Sequence, residues 1–538
     1  MEESYARGPD YELTTKTTGQ VLRDTVARHA DHEALVARHQ NIRLTWGELA
    51  NEVERTARGL VGLGLAPGDR VGVWATNCAE WIYLQLGCAR AGLVQVNVNP
   101  AYRAHELAYV LRKSAMKALI LRAQDARSNY REILEEALKG QDVALRHVIY
   151  LNEDSWDRML AGGKDVGPGP SDCHSVVNIQ YTSGTTGSPK GVLLTHHNLL
   201  NNGGVIAMGL RMSEQDRLCV PVPLYHCFGC VGGTMVVLST GAAMILPAPG
   251  FDPLATMEAI QAERVTSIYG VPTMFIAQLQ HPEFKRFDFS SLRTGVMAGA
   301  PCPIEVMKRV VSDMHCPQMT IMYGQTESSP VITMASVDDT MERRVATVGR
   351  ACGATEVKIA SPEGKTLPIG EQGELCTRGY LVMKGYDKEP EATARAIDKD
   401  GWLHTGDLAS MRPDGYFRIT GRLKDMIIRG GENVYPREVE EFLYTHPKVA
   451  DVQVVGLPDE RLGESVAAWI RVKAGESVTE DDIREFCRGK IAHFKIPQYI
   501  RFVDAFPMTV TGKIQKYVIR QIEIKDRHLE EVAGIETA

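Results

Sequence analysis

The chain has 538 residues, too many for one compact core, so at least two domains are expected. Its 44% hydrophobic and 24% charged residues are ordinary for a globular protein, and a net charge of −7 argues against general nucleic-acid binding. No apolar run reaches the roughly 18 residues of a membrane span, and the acidic start Met1-Glu2-Glu3-Ser4 is neither a secretory signal nor a transit peptide. With 11 scattered cysteines that suit reduced thiols, the expectation is a cytoplasmic protein without an integral membrane segment.

From about residue 20 to 420, strand-like apolar runs alternate with amphipathic helical ones. Arg70–Ala75 reads as a strand, Ala79–Ala91 as a helix, and Leu93–Val98 and Lys117–Leu121 as strands. Val176–Ile179 and Val192–Leu194 read as strands flanking a glycine-rich loop, with Thr195 as the cap of a helix starting near His197. Ala243–Leu246 and Met319–Met322 repeat the strand signal, and Gly295–Pro301 reads as a small-residue turn. Gly406-Asp407-Leu408 and Arg412-Pro413-Asp414-Gly415 are turn-rich, and the polar stretch Gly421–Asp425 marks a boundary. Beyond it come a helix over Pro436–Thr445, strands over Ala450–Val455 and Ser465–Val472, a helix over Glu480–Lys490 and a strand over Tyr499–Val503. The expected fold class is α/β: a large multi-layer N-terminal domain with parallel-rich sheets (1–421), a linker (422–425) and a small α+β C-terminal domain (426–538).

The segment Tyr181–Val192, YTSGTTGSPKGV, carries the strongest chemical signal. A loop of small residues between strands lets backbone N–H groups approach a polyphosphate; the hydroxyls of Thr182, Ser183, Thr185 and Thr186 add donors around Gly184, and Lys190 adds a charge. The spacing is not that of the common phosphate loop with its terminal Lys-Ser/Thr, because Lys190 follows a proline. Tyr323-Gly324-Gln325-Thr326-Glu327 follows a strand, where ligands of open α/β sheets sit, and its carboxylate suits Mg2+ beside phosphates. Cys227 and Cys230 form a C-x-x-C pair without a second pair at zinc spacing, which reads as pocket lining rather than a metal site.

These segments resemble the signature motifs of the adenylate-forming enzymes: acyl-CoA synthetases, firefly-type luciferases and peptide-synthetase adenylation domains. The resemblance runs through Trp402–Asp407 (T-G-D), Gly421–Asp425, Gly430–Pro436 and Pro507–Ile514 (P-x-T-x-x-G-K), and so covers nearly the whole chain. Asn97–Tyr102, Asp425–Asn433 and His493–Pro497 are phrases similar to medium-chain fatty acid CoA ligases. The resemblance implies ATP, Mg2+ and coenzyme A as cofactors, with Tyr323 stacked on adenine, Gly324 and Gln325 among the nucleotide-binding residues, Thr326 on the α-phosphate, and Glu327 and Thr182 on Mg2+. It further implies Gly299, Ala300 and Pro301 beside the base and acyl group, Asp407 at the ribose with Arg422 as a second ribose or phosphate contact, and Gly431 on the coenzyme A side. His226, in Pro223–Gly229, would position the carboxylate. Lys513 would be the catalytic lysine, a cation between two anions that meet in the transition state. Lys424 would lie at the hinge of a mobile C-terminal domain. Gly229, Gly232 and Gly233 leave room for a chain, and Cys230 stands in the region where long-chain relatives often carry a gating tryptophan, which implies that such a gate is missing.

The implied activity is an AMP-forming acyl-CoA synthetase acting on a small-molecule carboxylic acid, most simply a medium-chain fatty acid. The rivals are a carrier-protein-loading adenylation enzyme, an aromatic or alicyclic acid CoA ligase, a luciferase-like oxidase and a nucleotide-binding scaffold; Lys513 together with Glu327 speaks against the last. A homodimer and a lysine acetyltransferase acting on Lys513 are the macromolecular partners the resemblance allows.

Overall fold

The computed structural model describes residues 2–126, 128–182, 189–299, 302, 304–429, 432–488, 490–508 and 514–533. By internal contacts the chain divides into two units: Ala6–Val357 with Thr377–His404, and Met1–Tyr5 with Lys358–Cys376 and Thr405–Ala538.

The larger unit is built on two mainly parallel sheets. One has nine strands in the order Arg350–Ala351, Val331–Met334, Gln318–Gly324, Thr294–Ala298, Ser267–Gly270, Arg217–Cys219, Ala243–Leu246, Glu33–Ala37 and Ile42–Thr45. Its centre is parallel and its outer strands antiparallel. The other has seven strands: Gly385–Tyr386, Lys190–Thr195, Val176–Thr182, Val94–Asn97, Arg70–Trp74, Ala118–Leu121 and His147–Tyr150. All four residues of Ala118–Leu121 and of Ala243–Leu246 are buried, as continuous apolar runs in a sheet covered on both faces should be. Helices Pro253–Ala262, Pro272–Leu279 and Ile304–Asp313 pack Ile260, Phe275, Met307 and Val310 into one core with Met319. Trp74, Val96, Leu111, Leu119 and Tyr130 form a second.

The helix Trp46–Gly62 starts on a reciprocal cap in which Thr45 Oγ1 accepts from the Glu48 N–H and the Glu48 carboxylate accepts from the Thr45 N–H. Ala79–Ala91 is a helix at the expected bounds, buried along nearly its whole length and closed by Gly92 in a left-handed conformation. The helix after Thr195 runs His196–Gly209 with Thr195 as its cap.

Two further sheets follow, the second of them wholly within the smaller unit. Thr355–Ala360, Gln372–Gly379, Leu403–Met411 and Phe417–Arg422 are consecutive members of one, with Tyr5–Arg7 on its edge. The other joins Glu432–Val434, Ile427–Arg429, Gly463–Val472 and Val449–Asp459, with Tyr499–Phe502 added parallel to Gly463–Val472. Helices Pro436–Leu443 and Glu480–Cys487 cover it through Leu443 and Ile483, which meet Val452, Val466 and Ile470. This is the expected α+β arrangement, and each element begins within two residues of its expected start.

Two local expectations need correction. Gly295–Ala298 is not a turn but most of the strand Thr294–Ala298; a Cβ on Gly295 would lie 2.3 Å from the Ile268 carbonyl oxygen, so its lack of a side chain serves strand packing. Gly406-Asp407-Leu408 likewise belongs to the strand Leu403–Met411, where the Gly406 N–H donates to Glu374 Oε1 at 2.9 Å. Among the described residues no helix is long and apolar enough to cross a membrane.

Candidate functional site

In the larger unit, the predicted residues gather at the carboxyl ends of strands, where the chain leaves the sheet and ligands of such folds bind. Thr182 ends the strand Val176–Thr182 and faces Lys190 across the antiparallel pair with Lys190–Thr195. Tyr323 and Gly324 end Gln318–Gly324, and Thr326–Ser328 form a short turn before Val331–Met334. Gly324 is obligatory in that hairpin, because a Cβ there would sit 1.9 Å from the Pro330 carbonyl oxygen. Gly299 directly follows Thr294–Ala298 with φ +86°, a conformation that glycine adopts at no steric cost.

His226 caps the helical turn Cys227–Cys230 and lines a pocket with Tyr225, Gln180, Tyr181, Asn97, Asn99, Tyr102 and Thr326. The Cys227 thiol lies 3.9 Å from the Thr326 hydroxyl, joining the two segments. Thr182 and Glu327 each follow a residue of this lining. Burial pushes the Tyr102 hydroxyl up to about 12 and raises Tyr181 and Tyr225 further, so all three stay protonated donors at neutral pH.

The pocket floor is polar. Asn178 Nδ2 donates to Asn97 Oδ1 at 2.9 Å, Gln180 Nε2 donates to Asn178 Oδ1 at 2.8 Å, and the buried Cys230 thiol accepts from Gln180 Nε2 at 3.3 Å. Cys230 is thus a fully buried partner of amides behind the lining residue Gln180. The glycines after His226 do not open space at their own positions: a Cβ at Gly229, Gly232 or Gly233 would meet the carbonyl oxygens of Pro223, Phe228 and Gly229 at 2.3, 2.6 and 2.3 Å. They permit close backbone packing instead.

Sequence reasoning missed Tyr386. Its hydroxyl donates to Glu327 Oε1 at 2.9 Å, and the Lys190 ammonium lies 4.9 Å from its ring centroid. Burial and the Glu327 carboxylate raise its pKa, so it remains a donor. The neighbouring Asp387 is clamped by Arg70 through two hydrogen bonds of 2.7 and 2.8 Å, and its N–H donates to the Gly191 carbonyl at 2.7 Å. The only local signal was an aromatic residue beside an aspartate, too common to single out.

The donor set is oxygen-only: the Glu327 carboxylate oriented by Tyr386, and the Thr182 hydroxyl. That chemistry fits Mg2+, which prefers one or two carboxylates completed by water and phosphate oxygens.

In the second unit, Asp407 and Arg422 are cross-strand partners, and Arg422 Nε donates to Asp407 Oδ1 at 2.8 Å. The Asp407 side chain is 6% exposed and that of Arg422 51% exposed, so a sunken carboxylate is held by an accessible guanidinium. The backbone of Lys424 lies in the turn Leu423–Asp425. Ser183, Gly184, Thr185, Thr186, Ala300, Pro301, Gly431 and Lys513 lie outside the described residues.

The profile of the AMP-binding enzyme family matches residues 22–387, and that of the AMP-binding enzyme C-terminal domain matches residues 438–513. The chain belongs to the AMP-binding enzyme family. Among its relatives, the putative acyl-CoA synthetase YngI of Bacillus subtilis (strain 168) is 49% identical, over 96% of this chain and 98% of that protein. The mitochondrial medium-chain acyl-CoA ligase ACSF2 of Homo sapiens is 44% identical, over 98% of this chain and 90% of that protein. Among solved structures, ATP-bound MatB from Rhodopseudomonas palustris superposes with a TM-score of 0.85 at 30% identity, covering 94% of this chain and 99% of that one. The anthranilate CoA ligase AuaEII in complex with anthranoyl-AMP gives 0.86 at 26% identity, covering 96% and 99%.

Proposed function

We propose that this AMP-forming acyl-CoA ligase activates a medium-chain fatty acid in two steps: formation of an acyl-adenylate from ATP, then transfer of the acyl group to coenzyme A. The match to YngI and ACSF2 carries the reading, because it covers 96% and 98% of this chain. The absence of a tryptophan after His226 in the Cys227–Gly233 region supports a medium rather than a long chain.

In the first step a carboxylate oxygen attacks the α-phosphorus, the new P–O bond forms, and the bond to pyrophosphate breaks. Tyr323 and Gly299 flank adenine, Asp407 accepts from the ribose hydroxyls while Arg422 fixes it, and Thr326 donates to the α-phosphate. His226, on the pocket wall with Thr326, positions the incoming carboxylate. Glu327 and Thr182 would hold Mg2+, which supplies positive charge against the phosphates. Lys513 sets its ammonium between the two anions, where charge builds in the transition state; losing one such donor typically costs about 10²–10³-fold in rate. In the second step the thiol sulfur attacks the acyl carbonyl carbon and AMP leaves. The domains 1–421 and 426–538 turn about 422–425 between the steps, with Lys424 in the hinge and Gly431 turned to coenzyme A. The eleven cysteines, all free thiols, suit a reducing compartment, which we read as the cytoplasm.

Pyrophosphate release with MgATP, measured across straight-chain acids from acetate to palmitate and with benzoate, each with and without coenzyme A, tests this. Release that rises with coenzyme A and peaks at intermediate length is the expected result. A peak at benzoate would move the assignment to aromatic acids, and release indifferent to coenzyme A would point to a carrier-protein acceptor.

A further inference from the structure

A second constellation of ligating side chains lies away from the nucleotide residues, at the base of the hairpin formed by Val176–Thr182 and Lys190–Thr195. Val176 pairs with Thr195 at that base. Just before the first strand stand Cys173 and His174; just after the second, in the opening turn of the helix His196–Gly209, stands His197. The His197 N–H donates to the Cys173 carbonyl at 2.8 Å, fixing the two segments together. Sγ of Cys173 and one ring nitrogen each of His174 and His197 lie within 4.8 Å of one another. The two imidazole rings are 4.7 Å apart, with His174 exposed, His197 half-buried and Cys173 buried.

The surroundings of His197 match those of a ligand. Its Nδ1 lies 3.1 Å from the Thr14 carbonyl oxygen. Asn201 Nδ2 lies within hydrogen-bond distance of the Thr14 carbonyl, the His197 carbonyl and His197 Nδ1, at 3.1, 2.8 and 3.0 Å, and its Oδ1 accepts from the Thr14 N–H at 2.7 Å. A backbone carbonyl hydrogen-bonded to a ring nitrogen is a usual support of a metal-bound histidine.

We propose that Cys173, His174 and His197 form a binding site for a borderline-soft divalent cation, Zn2+ being the natural choice, with solvent at the fourth position. Tetrahedral Zn2+ with sulfur at about 2.3 Å and nitrogen at about 2.0–2.1 Å sets its ligand atoms roughly 3.3–3.6 Å apart. From separations of up to 4.8 Å, a contraction of up to about 1.2–1.5 Å completes that geometry, with the exposed His174 side chain the freest to move. One thiol and two imidazoles disfavour Mg2+, which takes oxygen ligands. The thiol proton passes to solvent on binding. The ion would staple the open end of the hairpin, about 20 Å along its strands from the glycine-rich loop at about 3.3 Å per residue. It would stabilise that hairpin without entering the acyl chemistry.

The test is a Co2+ titration of the untagged full-length protein with its thiols kept reduced, read by absorbance. The expected result is stoichiometric binding with a sulfur-to-cobalt charge-transfer band that Zn2+ displaces. Cys173→Ser should lose that band. His174→Ala removes an exposed side chain and should keep wild-type pyrophosphate release, yet bind Co2+ at least about tenfold more weakly. Zn2+ should raise the melting temperature of the wild type and not of His174→Ala. No charge-transfer band in the wild type overturns the proposal, as does a band that survives Cys173→Ser together with unchanged affinity in His174→Ala.

Discussion

The Tyr386 hydroxyl donates to Glu327 Oε1 while its ring faces the Lys190 ammonium, so one side chain sets the direction of both charged groups expected at the phosphates. A hydrogen bond to a charged group is worth about 1.5–3 kcal/mol. Tyr386→Phe should therefore lower kcat/KM for MgATP by about tenfold or more while leaving the fold intact, with steady-state kinetics as the check; unchanged kinetics would remove Tyr386 from the site. His196 supplies a prediction of another kind. The Thr18 N–H donates to its Nδ1 at 3.1 Å, and burial pulls its pKa down to about 4 from an ordinary value near 6.5. The unfolded chain then binds a proton that the folded chain resists, so stability is full above about pH 6.5 and falls as pH drops toward 4, by about 3 kcal/mol in the limit. His196→Asn, which keeps an acceptor for Thr18, should flatten urea-unfolding stability across that window. An equally steep decline in the variant would assign the acid sensitivity elsewhere. Glu327, Asp407 and Arg422 could be proposed from the sequence because each sits in a dense motif. Tyr386 was not, because only the pairing of Gly385–Tyr386 with Val192 and Leu193 brings it to a residue 59 positions away.

At the scale of elements, legibility followed composition. Ala79–Ala91, Ala243–Leu246 and the five elements after Pro436 declare themselves by apolar period or by a proline start, and their observed beginnings agree closely. Thr294–Ala298 and Leu403–Met411 were partly misread, because glycines that a packed strand demands look like turn residues in a sequence. The same ambiguity made Gly229, Gly232 and Gly233 read as open space when they are sites of close backbone packing. The helix His196–Gly209 shows a signal that did survive. Thr195 Oγ1 accepts from the Asn198 N–H at 3.1 Å, and Asn198 Oδ1 accepts from the Thr195 N–H at 2.9 Å. Thr195→Ala should cost about 1–2 kcal/mol, since the cap is buried. Denaturant unfolding checks this, and a loss within a few tenths of a kcal/mol would show that the cap contributes little.

At the scale of the molecule, the small α+β fold of the C-terminal stretch was legible from the switch in pattern after Gly421–Asp425, whereas the division by internal contacts, with Lys358–Cys376 joined to Thr405–Ala538, was not, because it depends on strands distant in sequence pairing in one sheet. Chemistry that depends on how those parts move was legible only through motif resemblance. Lys513 belongs to that class. Lys513→Ala should lose adenylation by about 10²–10³-fold while still making thioester from supplied acyl-adenylate. Equal loss of both half-reactions would deny it the role of a first-step cation.

Tracing the substrate's own oxygen tests the adenylate route itself. Octanoate labelled with 18O in its carboxylate is turned over with MgATP and coenzyme A, and the nucleotide product is weighed by mass spectrometry. Attack on the α-phosphorus followed by thiolysis must leave one labelled oxygen in AMP, with octanoyl-CoA keeping the other. Label in inorganic phosphate, with ADP as the unlabelled nucleotide, would mean attack on the γ-phosphorus and would contradict the account.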